Sequence, residues 1–200
     1  MAVSSLKNKS KLSTLTSPFD IDLGGMIPLS TFTATSNTAT VTFSDIPQSY
    51  EHLQLRIFCR TNRNVSDGDY LLMRFNSISS TASYYAQHYL RGNGSAVLAA
   101  ADGTGTASYL ERFPALNTTA STFGTAIIDI LDYTNTNKNK VWRSLAGYDG
   151  NGDASANIRL ASGMLLSTPA ISSITLTSGT DSSFVQNSSF ALYGIKRAGA

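Results

Sequence analysis

The sequence predicts an all-β chain: an antiparallel β-sandwich, jelly-roll-like, with an extended N-terminal arm. Three observations predict it. First, the segment from His52 to Arg60 alternates without a break. Leu53, Leu55, Ile57 and Cys59 fall on one face; His52, Gln54, Arg56, Phe58 and Arg60 fall on the other. Nine residues at period two describe a strand with one face on a core, and a helix does not produce them. Second, short segments of this kind recur between clusters of Gly, Asn, Asp and Ser, and no ten-residue stretch holds a helical period. Third, Ser and Thr number 28 and 22 of the 200 residues, beside 15 Gly. That is a composition of strands joined by polar turns.

Taken in order, residues 1–26 read as the arm. They are polar, rich in Ser, Thr and Lys, with loosely spaced Leu6, Leu12, Leu15 and Phe19. Such a segment is either a frayed terminus or an arm ordered by a neighbouring subunit. Residues 27–200 form the sandwich domain. Its first strands are expected at 29–34 and at 38–43, where Ala39, Val41 and Phe43 share a face. The alternating strand 52–60 follows, then a polar loop, then a strand at 70–75. There either Leu71, Met73 and Phe75 or Leu72 points inward. Residues 84–91 form an aromatic strand that Gly92-Asn93-Gly94 ends. Residues 95–117 hold Asp102-Gly103, Gly105 and Pro114 and mix short strands with loops. Further strands are expected at 123–133, at 140–148 (carrying the only tryptophan, Trp142), at 157–166, at 171–177 and at 189–196. The total is nine to eleven strands. No fixed-period repeat occurs, which excludes a propeller or solenoid.

Composition excludes several classes. Hydrophobic residues make up 42%, aromatics 10%, and the net charge is only +2, which is not the balance of a disordered chain. The basic residues are scattered apart from Lys7, Lys9 and Lys11, which argues against a nucleic-acid partner. No apolar run approaches the ~18 residues of a membrane helix. The N-terminal lysines have no hydrophobic segment behind them, so no secretory signal is expected. Cys59 is the single cysteine; on the apolar face of its strand it reads as a buried structural thiol.

Motifs for chemistry are sparse, and no cofactor or metal is expected. Asp149-Gly150-Asn151-Gly152-Asp153 spaces oxygen ligands as a calcium loop does, but the twelfth position is Leu160 instead of a bidentate Glu. A hairpin turn explains it better. Glycoside hydrolysis needs paired carboxylates. The only glutamates are Glu51 and Glu111, and Asp129 and Asp132 fall on opposite faces of their strand. His52 and His88 lack the partners of a triad or a zinc site. Tyr84, Tyr85 and Tyr89 share one strand. Exposed, they would offer a glycan-binding face; the plainer reading is core packing and subunit contact. Arg56, Phe58 and Arg60 alternate outward, and a Phe flanked by two arginines suits a protein interface.

Several segments resemble the virion structural proteins of tailed bacteriophages, of the kind found in cyanophages. They are Ala39-Thr40-Val41-Thr42-Phe43-Ser44-Asp45-Ile46-Pro47-Gln48-Ser49-Tyr50, His52-Leu53-Gln54-Leu55-Arg56, and Leu72-Met73-Arg74-Phe75-Asn76. Trp142-Arg143-Ser144 through Asp149-Gly150-Asn151-Gly152, and Ser189-Phe190-Ala191-Leu192-Tyr193-Gly194-Ile195-Lys196, complete the set. The resemblance covers most of residues 29–197 and leaves the arm outside. It implies a non-enzymatic virion component made in the host cytoplasm, first of all a capsid decoration (cement) or head-surface protein. Such a protein would assemble as a symmetric oligomer, commonly a homotrimer, on the major capsid protein or on tail proteins. The alternative is a tail, baseplate or fibre component that touches host carbohydrate. The resemblance supplies no catalytic residue, and neither nucleic acid nor membrane enters as a partner.

Overall fold

The computed structural model describes residues 25–79, 85–151, 156–179 and 182–197. The arm through residue 24 and Tyr84 lie outside them. Among the described residues there are twelve strands and no helix. They are β1 (Met26–Thr33), β2 (Thr40–Phe43), β3 (His52–Cys59), β4 (Asp69–Phe75), β5 (Tyr85–Gly92) and β6 (Val97–Gly105). The others are β7 (Ser108–Phe113), β8 (Gly124–Leu131), β9 (Lys140–Tyr148), β10 (Asn157–Leu165), β11 (Ile174–Ser178) and β12 (Ser189–Ile195). Met26, assigned above to the arm, is the first residue of β1 and pairs with Ile195. The segment 95–117 resolves into β6 and β7.

The strands form two antiparallel sheets that pack as a sandwich. The larger runs β1-β12-β3-β8-β9-β10-β5-β6 and the smaller β2-β11-β4-β7. Within them β1 pairs β12, β2 pairs β11, β3 pairs β8 and β4 pairs β7. The pairing is nested, outermost with outermost, and is consistent with the jelly-roll winding that the sequence suggests. The other four strands, β9, β10, β5 and β6, extend the large sheet past β8. The small sheet ends at β7, which packs against β9, β10 and β5. So β6 overhangs the sandwich, and a cleft opens between the two edge strands β6 and β7.

The core lies between the sheets, and alternation places it there. On β3, Leu53, Leu55, Ile57 and Cys59 point inward. They face Leu71, Met73 and Phe75 of β4 and Leu176 of β11 across one continuous cluster. The alternative with Leu72 inward does not occur. Each such side chain contributes roughly 1.5–3 kcal/mol through burial. Trp142 on β9 is fully buried and lies opposite Gly163 of β10. A Cβ at position 163 would sit 2.2 Å from the indole ring, so only glycine admits the tryptophan there. Cys59 is fully buried as a free thiol, and burial pushes its pKa up. We expect no reaction with a thiol-specific disulfide reagent in the native protein and one equivalent after denaturation. Rapid native labelling would show that the end of β3 opens.

Candidate functional site

Two surfaces stand out, both created by the strands that extend the large sheet. The first is its outer face. In β9 and β10 both faces are mixed: Trp142, Ala146, Ala161 and Leu165 point inward beside polar residues, and Arg143 and Ser162 point outward beside aliphatic ones. Lys140, Ser144, Asn157 and Arg159 point inward and are buried, while Val141, Leu145, Ile158 and Leu160 point outward. Antiparallel register lines the outward residues up. Arg56, Ile127, Leu145, Leu160, Leu90 and Ala99 are successive cross-strand partners from β3 to β6. Ile127, Leu145, Leu160 and Leu90 are each 45–54% exposed. At the ~4.8 Å spacing of strands, these four make an apolar stripe about 15 Å long. On one side a groove of about 1060 Å³ runs along the stripe, lined by Arg56, Ile127, Leu145 and Ile158. On the other side lies a polar row in which Asp129 pairs with Arg143 at 3.1 Å and accepts from Gln54 at 2.9 Å. An apolar strip rimmed by hydrogen-bonded charges is the anatomy of a protein interface.

Arg56 and Phe58 belong to this face, as the sequence predicts. Phe58 stacks on Phe123 with ring centroids 4.9 Å apart, and Arg56 lies over the Tyr193 ring at 5.4 Å. Arg60 does not belong to it. The strand ends at Cys59, the pleat ends with it, and the Arg60 side chain turns into the protein. Its guanidinium donates to the carbonyls of Leu116, Thr118, Thr119 and Thr122 at 2.8–3.2 Å. Arg60 is thus a clamp on the loop before β8.

The tyrosine strand needs a similar correction. Tyr85 is buried where β5 enters the core. Its hydroxyl accepts from the Phe75 N–H at 2.8 Å, and burial raises its pKa. At 3% exposure it contributes only a buried part of the wall of the cleft between β6 and β7. Tyr84 lies outside the described residues. Tyr89 is half-buried beneath the Arg159 guanidinium, 3.7 Å from the ring centroid.

Tyr89 leads to the second surface, the cleft between β6 and β7. Its volume is about 570 Å³, and Tyr70, Gln87, Tyr89, Arg91, Asp102, Tyr109 and Arg159 line it. Arg159 anchors it from the floor. One guanidinium nitrogen pairs with Asp102 at 3.0 Å, and Nε lies 3.8 Å from Glu111 Oε2, too far for a hydrogen bond. The Gln87 amide donates to Asp102 at 2.7 Å and to the Tyr109 carbonyl at 2.9 Å. Glu111 is fully buried and accepts from the Arg112 N–H at 2.7 Å. Burial pushes its pKa up, against the pull of that bond and of Arg159, Arg91 and Arg112. Gln87 Oε1, Glu111 Oε2 and Arg159 Nε are buried without a hydrogen-bond partner among the described residues. Tyr109 stands at the rim, its ring perpendicular to that of Tyr70 with centroids 5.6 Å apart.

Of the remaining sequence candidates, His52 and Asp149 hold backbone N–H groups. His52 Nδ1 accepts from the Asp132 N–H at 3.0 Å. His88 is exposed on the outer face beside Leu90 and Leu160. In the Asp149 turn, Asp149 Oδ1 accepts from the Asn151 N–H at 2.8 Å; residues 152–155 lie outside the description. Among the described residues no three His, Cys, Asp or Glu side chains cluster. Comparison with family models, with curated proteins and with solved structures returned no match.

Proposed function

We propose that this chain is a non-enzymatic virion structural protein that assembles with copies of itself through the outer face of its eight-stranded sheet. One observation carries the reading: β9 and β10 leave Leu145 and Leu160 exposed in a register-aligned row with Ile127 and Leu90. Leaving such a stripe exposed has a cost in solubility that a second copy removes. The resemblance to tailed-phage virion proteins favours a capsid decoration or head-surface role, as a symmetric oligomer of trimeric class seated on the particle.

The test is oligomeric state. Wild type is expected to be an oligomer at micromolar concentration by mass photometry. Leu145→Glu with Leu160→Glu is expected to dissociate it, at about 3 kcal/mol or roughly a hundredfold in dissociation constant. Both side chains lie outside the core, so the melting temperature of the subunit should hold. A monomeric wild type would sink the proposal. A count of copies per particle then separates capsid, in the hundreds, from tail.

A specific observation favours a second reading, a tail, baseplate or fibre component that contacts host carbohydrate. It is the tyrosine-lined cleft, whose lining includes Tyr85 and Tyr89 of the predicted tyrosine face.

A further inference from the structure

We propose that the cleft between β6 and β7 binds an acidic saccharide: a pyranose bearing one carboxylate, held by Arg91 and stacked on Tyr109. The proposal deepens the carbohydrate reading of the cleft and does not depend on assembly through the outer face.

The charge pattern comes first. Arg91 and Arg159 are direct cross-strand partners, so their side chains share a face. Like charges placed opposite destabilise a sheet unless something neutralises them. Arg159 is neutralised, by Asp102 and at longer range by Glu111, and its planar face is used by Tyr89. The Arg91 side chain makes no hydrogen bond or ion pair among the described residues and has only a longer-range attraction to buried Glu111, yet it lines the cleft and is only half-buried. One guanidinium fork is therefore open, and that fork matches a carboxylate with two parallel bonds.

The rest of the lining argues for a sugar and against a bare anion. Asp102 would repel a doubly charged phosphate or sulfate next to Arg91 more than a monoanion. A monoanion with several hydroxyls suits both signs. Its hydroxyls donate to Asp102, and to the Gln87 Oε1 that lacks a partner. Its carboxylate meets Arg91. Tyr109 is 41% exposed at the rim, its ring perpendicular to that of Tyr70. It thus has ring surface free for the C–H face of a pyranose. The volume of about 570 Å³ falls in the range of small-molecule sites.

The test uses the full chain on an array of uronate, sialate and pyruvylated glycans printed beside their neutral counterparts. Hits are then titrated by calorimetry, with inorganic phosphate as a parallel ligand. We expect an acidic glycan to bind at least tenfold more tightly than its neutral counterpart and than phosphate. Arg91→Gln and Tyr109→Ala should each weaken it about tenfold or more, at unchanged melting temperature. Leu145→Glu with Leu160→Glu should leave the intrinsic affinity in place. Binding of acidic and neutral glycans alike, still lost in Tyr109→Ala, would overturn the acidic class and keep the carbohydrate reading. Phosphate binding as tight as the glycan would overturn the saccharide. No binding anywhere on the array, or binding that neither variant weakens, would remove both.

Discussion

Replacing Trp142 by alanine is expected to lower the unfolding free energy by about 4 kcal/mol, the largest effect of any single truncation in this domain. Trp142 is the biggest fully buried side chain, and it joins the nested strand pairs to the added strands. Its register partners are Ile130 on β8 and Gly163 on β10. Removing it empties the space beside a residue that has no side chain to refill it. Trp142→Phe should cost far less than this. The indole N–H is buried without a partner among the described residues, so its loss sacrifices no hydrogen bond with them. Gly163→Ala forces a Cβ to within 2.2 Å of the ring and should cost about 1–3 kcal/mol. In the Trp142→Ala background the same methyl fills part of the cavity and should be nearly neutral. The two sites therefore couple strongly. Urea denaturation followed by far-ultraviolet circular dichroism reads this cycle, since tryptophan fluorescence disappears with the residue. Simple additivity of the two changes would refute the packing argument.

Arg60→Ala is expected to lower stability by about 3 kcal/mol. Four carbonyls within seven residues, from Leu116 to Thr122, converge on one guanidinium. Nothing else so placed satisfies them together. The backbone of Arg60 is tied as well: its carbonyl accepts from Val185 N–H at 3.0 Å, and its N–H donates to Ser188 Oγ at 3.3 Å. The residue thus fastens the loop before β8 to the end of β3. Arg60→Lys should lose most of the same stability, because a single ammonium lacks the planar spread of five donors. Hydrogen exchange should rise in residues 115–122 before it rises in β3. Full stability of the lysine variant would show that charge alone suffices there.

How much of this was legible in the sequence varies by element. The predicted bounds of β9, residues 140–148, match the structure, and β3 and β12 come within one residue. In β3 and β12, one face meets the core and the other meets solvent or rim, so hydrophobicity and geometry alternate in phase. The pattern fails where that condition fails. β6 runs Val97-Leu98-Ala99-Ala100-Ala101 with little alternation because it overhangs the sandwich and neither face reaches the main core. In β9 and β10 each alternating face mixes polar and apolar residues, so period two gives a strand without telling which face is inside. Arg60 looked outward because counting by two assumes that the strand continues, and it stops one residue earlier. Tyr85 looked available because nothing local shows that β5 begins inside the core.

The candidate sites were the least legible part. The cleft takes Tyr70 from β4, Gln87, Tyr89 and Arg91 from β5, Asp102 from β6, Tyr109 from β7 and Arg159 from β10. No two of these strands carry a local motif that announces the others. The apolar row on the outer face is likewise a product of register. Ile127, Leu145, Leu160 and Leu90 come from four strands and meet only because each pairing is in step.

By itself, the sequence determined that the chain is all-β, where most strands run, and that Cys59 and the Leu53, Leu55, Ile57 face are inside. Those properties depend on period two and on burial of apolar area, which are local and additive. Tertiary structure alone decided which face of β9 and β10 is outside, where Arg60 and Tyr85 point, and which charges share the cleft. Those depend on strand order and register between residues far apart in the chain. A shift of one residue in either would move every side chain to the opposite face.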